Sequence, residues 1–131
     1  MDEKLRALIV NAALDVRRRA YAPHSGFLVG AALLTAEGTI VQGCNVENDS
    51  YGLTICAERV AVASAVALGQ RSFEMLAVAS AGGLAPCGAC RQVLAQFCDH
   101  LEILLVDAAH PDRVVEVRLS DLLPSRFSLR S

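Results

Sequence analysis

A strand–helix–strand pattern in the second half of the chain limits the possible folds more than any other sequence feature. Residues 73–80 and 101–106 are short apolar runs that predict buried strands, and residues 88–97 between them predict a helix. A helical connection allows these two strands to be parallel. The connection of residues 107–113 to a further strand, residues 114–119, is too short for a parallel crossover. The last two strands are therefore expected to be antiparallel neighbours in a mixed sheet.

The first half of the chain supplies the remaining elements. After a possible N-cap at Asp2, apolar residues recur at helical spacing to about Arg19. Residues 27–35 and 39–46 are β-rich and are separated by a short hairpin connection. Residues 55–68 form a second predicted helix, which is apolar on most sides. We therefore expect an α/β fold with three layers, α/β/α, in which helices cover a mixed five-stranded sheet.

Length, charge and hydropathy exclude several classes of protein. A chain of 131 residues without a linker or repeat is expected to be one domain, residues 1–131. A net charge of −2 and only 5% aromatic residues give no basic or aromatic surface for nucleic acid. The longest uncharged stretch, residues 20–36, is too short and too interrupted by Pro and Gly to span a membrane. The N-terminus does not resemble a secretory signal, so a cytoplasmic protein without a membrane or nucleic-acid partner is expected.

Three of the five cysteines are arranged as in zinc sites. The pair Cys87 and Cys90 has C-x-x-C spacing, which alone fits a redox pair, half of a structural zinc site or two core cysteines. Pro86 precedes this pair, and Cys56 lies upstream at the start of another predicted helix, two residues before Glu58. One Cys or His ligand, a Glu two residues later and then P-C-x-x-C is the pattern of zinc enzymes that deaminate nucleobases.

Three cysteine ligands leave the fourth tetrahedral position of zinc for water, which is typical of a catalytic site. The alternative is a closed structural site in which a histidine (His24, His100 or His110) is the fourth ligand, although none has a recognisable ligand spacing.

Three thiolates give the zinc site a formal charge of −1, which weakens its effect on bound water. Predicted helix N-termini at Cys56 and Cys87 would stabilise the thiolates. Arg59 and Arg91, each directly after a motif, are predicted to donate hydrogen bonds to the sulfurs. For each arginine, the alternative is an ordinary residue on a helix surface.

Motifs along nearly the whole chain fit one known pattern. They are Phe27 with Val29-Gly30-Ala31-Ala32-Leu33, Gly43-Cys44-Asn45-Val46-Glu47-Asn48, Cys56-Ala57-Glu58-Arg59, Pro86-Cys87-Gly88-Ala89-Cys90-Arg91-Gln92, and Leu122-Leu123-Pro124 with Phe127. These segments resemble those of the small, homotetrameric cytidine deaminases that bind zinc through cysteines. The chain departs from the usual pattern at Leu28, at Asp49 and Ser50, and in the short loop of residues 81–85.

The resemblance implies hydrolytic deamination of cytidine, and of 2′-deoxycytidine, to the uridine nucleoside and ammonia in pyrimidine salvage. It implies one zinc ion per subunit, bound by Cys56, Cys87 and Cys90. Glu58 would be the catalytic residue, because a carboxylate beside the metal can move protons from water to N3 of the base and then to the departing amine.

The resemblance also implies contacts with the nucleoside. The side chains of Asn45 and Glu47 would bind the ribose hydroxyls, since an amide and a carboxylate together satisfy donors and acceptors. Phe27 would pack on the base, and the backbone carbonyl of Ala57 would accept a hydrogen bond from the base or its amine.

A homotetramer with shared sites is the expected assembly. The resemblance implies that Tyr51 and Phe127 reach the pocket from neighbouring subunits. Apolar residues, counted with glycine and without tyrosine, make up about 59% of the chain, above the roughly 45 to 50% typical of soluble domains, which also predicts an apolar subunit interface.

Two other functions stay open. A deaminase of another aminopyrimidine nucleoside, such as blasticidin S, would keep the zinc chemistry but predicts a less ribose-like segment than residues 45–48. A non-catalytic oligomerisation module stabilised by zinc would use the same cysteines only to hold the fold together.

Overall fold

The computed structural model describes residues 2–129 and contains one mixed sheet of five strands. The elements are α1 (Glu3–Arg17), β1 (Gly30–Thr35), β2 (Ile40–Cys44), a 3-10 turn (Tyr51–Leu53), α2 (Ala57–Ala67), β3 (Phe73–Ser80), α3 (Gly88–Ala95), β4 (Glu102–Asp107), β5 (Val114–Arg118) and α4 (Leu119–Leu122). The sheet has the order β2-β1-β3-β4-β5; β3 and β4 are parallel and all other neighbours are antiparallel, which confirms the predicted pairing. No helix within residues 2–129 has the length and hydropathy needed to cross a membrane.

Both faces of the sheet are buried. Successive residues of a strand point to opposite faces, and in β1 the side chain of Leu33 packs with α2 and α3 whereas that of Leu34 packs with α1. The same alternation in β4 assigns Ile103 to the first cluster and Leu104 to the second. The three-layer α/β/α architecture predicted from the sequence is therefore confirmed.

The first strand begins later than its sequence pattern suggests. Residues 27–29 were expected to belong to it, but β1 starts at Gly30. The backbone of the preceding residues is bonded by Asn45, which follows β2: its side-chain amide accepts from Val29 N at 2.9 Å and donates to the Phe27 carbonyl at 2.9 Å, and its backbone nitrogen donates to the Val29 carbonyl at 3.3 Å. Because this segment leaves the sheet, Phe27 is 37% exposed at a cavity rather than buried in the core.

Long-range pairing also sets the limits of β2 and α2. Val46, predicted as the end of a strand, and Ile55, predicted as the start of a helix, bond each other through two backbone hydrogen bonds of 2.9 Å. The helix consequently begins at Ala57. The short helix α4 was not predicted, because four residues do not display a helical period; its first residue, Leu119, was assigned to the last strand but is 98% buried against α3 and β5.

Helix α2 lies unusually close to the sheet at Gly43 of β2. A Cβ atom at this position would be 2.4 Å from the backbone nitrogen of Ala61 and 2.5 Å from the carbonyl oxygen of Ala57. Both atoms belong to the backbone of α2, so they cannot move aside independently of the helix. The absence of a side chain at Gly43 therefore sets the position of the N-terminal turn of α2.

We predict that Gly43→Ala lowers the free energy of unfolding by about 1–3 kcal/mol or more, because the added methyl group pushes α2 away from the sheet. Urea denaturation at a fixed protein concentration measures the change. Gly52→Ala is the matched control, since a Cβ there meets no atom within 4 Å. Equal losses in the two variants would contradict the close approach of α2 to β2.

Candidate functional site

The structure brings three thiols together at the start of two helices. Cys56 is the N-cap of α2, Cys87 is the N-cap of α3, and Cys90 lies in the first turn of α3, as the sequence predicts. The Sγ atoms of Cys56 and Cys87 are 3.9 Å apart, those of Cys87 and Cys90 are 3.4 Å apart, and all three lie within 4.8 Å of one another.

This spacing fits a zinc ion. Zinc binds cysteine sulfur at about 2.3 Å, so two sulfurs on one tetrahedral ion lie about 3.8 Å apart. Within residues 2–129, the group of side chains close enough to share a metal contains these three thiols and no histidine. The three histidines, His24, His100 and His110, therefore do not join this group as a fourth ligand, and three thiols would leave one position of a tetrahedral zinc ion for water.

The surroundings of Cys56 favour its thiolate. Interaction with the neighbouring Cys90 thiol and a hydrogen bond from the Arg59 guanidinium, 3.5 Å from Sγ, lower the pKa of Cys56 to about 5 against an opposing effect of burial. Interaction with the Cys56 thiolate and burial raise the pKa of Cys90. Of the two thiols, Cys56 therefore favours the thiolate form, beside a cation and a helix N-terminus.

The second arginine does not act on a sulfur. Arg91 was expected to donate to the thiolates, but its Nε donates to the carbonyl oxygen of Pro86 at 2.7 Å and its Nη1 donates to the carbonyl oxygen of Leu122 at 2.9 Å. The expectation was wrong because the guanidinium bonds two backbone carbonyls instead of a sulfur. Arg59 alone of the two makes the predicted contact with sulfur.

Glu58 is buried beside the thiols. It lies in the first turn of α2, its residue is 5% exposed, and together with Cys56 it lines a cavity of about 330 Å³. Burial is the main cause that raises the pKa of Glu58, and the nearby Cys56 charge adds to it. A carboxyl group that faces a cavity and has a raised pKa is suited to general acid and base chemistry.

Four of the six predicted substrate contacts line this cavity. Phe27, Asn45, Glu47 and Ala57 are among its walls, whereas Tyr51 and Phe127 are not. The latter two residues are 74% and 71% exposed. The predicted Cys56 and Glu58 line it as well. The other lining residues, to which no role was assigned from the sequence, are Ser25, Val29, Thr54, Val78, Ser80, Leu84 and Ala85.

The turn that contains His24 and Ser25 holds Glu47 in place, and no role was predicted for this contact. Its carboxylate accepts hydrogen bonds from the backbone nitrogens of His24, at 2.8 Å, and Ser25, at 3.1 Å, and from the Ser25 hydroxyl. The Ser25 hydroxyl, followed by the two backbone donors, keeps the pKa of Glu47 below its usual range. The Ser25 hydroxyl oxygen also accepts from the Phe27 nitrogen at 3.0 Å, so one serine orders two walls of the cavity. The sequence feature that could have indicated these contacts is the polar residue Ser25, two positions before Phe27.

Known proteins are similar to this chain in sequence and in fold. Residues 3–105 match the family model described as the cytidine and deoxycytidylate deaminase zinc-binding region. The chain is 48% identical over 114 residues to a cytidine deaminase of Sporosarcina psychrophila, covering 86% of this chain and 83% of the relative. It is 41% identical over 125 residues to a cytidine deaminase of Halalkalibacterium halodurans, covering 94% of each. The crystal structure of a cytidine deaminase from Burkholderia pseudomallei superposes with a TM-score of 0.87 at 46% identity, covering 92% of this chain and 98% of that one.

We predict that Asn45→Ala lowers the free energy of unfolding by about 1–3 kcal/mol, because Val29 N and the Phe27 carbonyl then lose their partner. Urea denaturation again measures the change. The control is Asn48→Ala, which removes an exposed amide that bonds the nearby Ser50 nitrogen. A loss no larger than that of the control would show that the 27–29 segment holds its path without Asn45.

Proposed function

The chain belongs to the cytidine and deoxycytidylate deaminase family, and on this basis we propose that it hydrolyses cytidine and 2′-deoxycytidine to the uridine nucleosides and ammonia. The observation that carries this proposal is the buried Glu58 beside three clustered thiols in a cavity of about 330 Å³. Acidic and amide side chains at Glu47 and Asn45 line the same cavity, as the ribose of a nucleoside requires.

The charges of the cavity favour a nucleoside over a nucleotide. Its described walls contain no lysine, arginine or histidine. The charged groups that line it are acidic, and the deprotonated form of Glu47 is stabilised by three hydrogen bonds. A phosphate group would meet like charge without a counter-ion, which is costly in a partly desolvated site. We therefore infer that deoxycytidylate is excluded.

Cys56, Cys87 and Cys90 would hold one zinc ion per subunit. Bound zinc supplies an activated water by lowering its pKa towards 7. Arg59 offsets part of the charge of the three thiolates through its hydrogen bond to Cys56.

Glu58 would move the protons of the reaction. Its carboxylate takes a proton from the attacking water and delivers it to N3 of the pyrimidine, while the water oxygen forms a bond to C4. It then transfers the second proton to the amino group, the C4–N bond breaks with its electron pair going to nitrogen, and ammonia leaves. Burial suits Glu58 to both steps, because it raises the pKa of the carboxyl group and so strengthens its hold on the proton that it carries.

The remaining walls would orient the nucleoside. Phe27 presents a half-exposed ring on which the base can pack. The carbonyl of Ala57, next to Glu58 in the chain, would accept a hydrogen bond from the exocyclic amine. Asn45 uses one donor and one acceptor to hold the 27–29 backbone, which leaves a second N–H and a second lone pair for a ribose hydroxyl.

We also propose a homotetramer in which Tyr51 and Phe127 complete the site of a neighbouring subunit. Large apolar side chains are exposed at Tyr51, Leu53 and Leu84, and Leu84 lines the cavity itself. An apolar surface at the entrance of a pocket is typical of an interaction site. Each subunit would be a single catalytic domain, residues 1–131. The free thiols suit the reducing cytoplasm, where such an enzyme would serve pyrimidine salvage.

Glu58→Gln is expected to retain zinc and fold but to lose about 10²- to 10⁴-fold in kcat, because the amide cannot accept and return a proton. The assay is ammonia release from cytidine and 2′-deoxycytidine by purified protein with quantified zinc. Glu74→Gln, an exposed acid on β3, is the control. Near-normal turnover in Glu58→Gln would remove Glu58 from the mechanism.

Deoxycytidylate and blasticidin S, assayed in parallel with wild-type protein, separate the alternatives. Turnover of cytidine without turnover of deoxycytidylate supports a nucleoside enzyme. Preference for blasticidin S would change the proposed substrate, and zinc-loaded protein without any turnover would favour a non-catalytic oligomerisation module.

Cys87→Ala is expected to lose zinc, since two thiols remain where three are needed to hold the ion firmly. Metal content after dialysis, measured by atomic spectroscopy, gives the result. Cys98→Ala is the matched control, because Cys98 is a buried free thiol outside the cluster. Full zinc occupancy in Cys87→Ala would contradict the proposed ligand set.

A further inference from the structure

The guanidinium of Arg91 joins two stretches of backbone that are distant in sequence. Its Nε donates to the Pro86 carbonyl at 2.7 Å, directly before Cys87, and its Nη1 donates to the Leu122 carbonyl at 2.9 Å, at the end of α4. The side chain is half-buried. A cation in the first turn of a helix is unfavourable for the helix dipole, so these two charge-assisted bonds must offset that cost.

Of the three clustered cysteines, Cys87 has the fewest contacts with the rest of the protein to hold its side chain. Cys90 is buried within α3, and the Cys56 sulfur accepts a hydrogen bond from Arg59. Cys87 is exposed, precedes the helix as its N-cap and makes no capping hydrogen bond with its side chain. The carbonyl of Cys87 is bonded into α3, so the peptide between Pro86 and Cys87 is the remaining backbone restraint on this thiol, and that peptide is the one Arg91 binds.

We propose that Arg91 is a positioning residue for the metal centre. It fixes the Pro86 carbonyl, and thereby the Cys87 thiol, in the geometry that zinc requires, and the Leu122 carbonyl holds the guanidinium from its other side. Arg91 thus acts through the backbone and not by donating to a sulfur. This inference rests on the zinc site of the proposed function.

Arg126 offers a matched control. It also ties the C-terminal segment to α3, but at the opposite end of that helix: it donates to the carbonyls of Ala95 and Cys98, the latter at 2.9 Å, and pairs with the Asp99 carboxylate at 2.5 Å. Removing Arg126 should loosen the C-terminal segment without releasing Pro86. A general effect of that segment can therefore be separated from an effect on Cys87.

The experiment measures zinc release from the zinc-loaded wild type, R91M, R91K and R126M into a chromogenic chelator, with urea denaturation of each protein in parallel. R91M is expected to release zinc about 10- to 100-fold faster than wild type, which is the range by which metal affinity falls when a residue that orients a ligand is lost. R91K keeps the charge, but its single ammonium cannot span both carbonyls, so its rate should lie between those of wild type and R91M. R126M should lose stability and release zinc at the wild-type rate.

Three results would overturn the inference. R91M releasing zinc at the wild-type rate would show that Pro86 needs no restraint. R91K matching the wild type while R91M is fast would assign the effect to charge alone, and R126M matching R91M would assign it to docking of the C-terminal segment. If R91M does not fold, the comparison of R91K with wild type decides. Wild-type protein that binds no zinc would refute the metal site of the proposed function, and this inference with it.

Discussion

The thiols of Cys56 and Cys87 meet because α2 and α3 begin side by side on the same face of the sheet. Two features bring the helices to that point: the close approach of α2 to β2 at Gly43, and the parallel crossover that returns the chain from β3 through α3 to β4. The two N-termini favour negative charge, which is what a set of thiolates supplies. Metal binding, the placement of Glu58 and the shape of the cavity all depend on this convergence.

The cavity separates its chemical tasks by position. Glu58 is buried and has a raised pKa, whereas Glu47 accepts three hydrogen bonds and has a lowered pKa. Two carboxylates in one pocket therefore differ in their affinity for protons, one suited to transferring them and the other to accepting hydrogen bonds while ionised. The contrast arises from local surroundings, since burial dominates at Glu58 and the Ser25 loop dominates at Glu47.

Sequence patterns predicted the sheet, its pairing and the cysteine cluster because each of these depends on local periodicity or on motif spacing. They misplaced the start of β1, since no local pattern reports that the side chain of Asn45 bonds the backbone of Phe27 and Val29. They likewise assigned Arg91 to the sulfurs, although its long side chain turns back to carbonyls that a sequence does not place in space. What escaped prediction is contact between a side chain and distant backbone, including the Ser25 hydroxyl on Glu47.

The loop of residues 81–85 connects the end of β3 to the cysteine pair, and its Leu84 and Ala85 form part of the cavity wall. Two consecutive glycines with positive φ, Gly82 and Gly83, and a hydrogen bond from Gly82 N to Asp107 hold it in a tight path. A longer loop here would alter the pocket wall, and it would leave the thiols together only where Pro86 keeps its path into the cysteine turn. A change of substrate range through this loop must therefore also preserve the metal site. A designed longer loop has to keep the backbone before Cys87 in its present path.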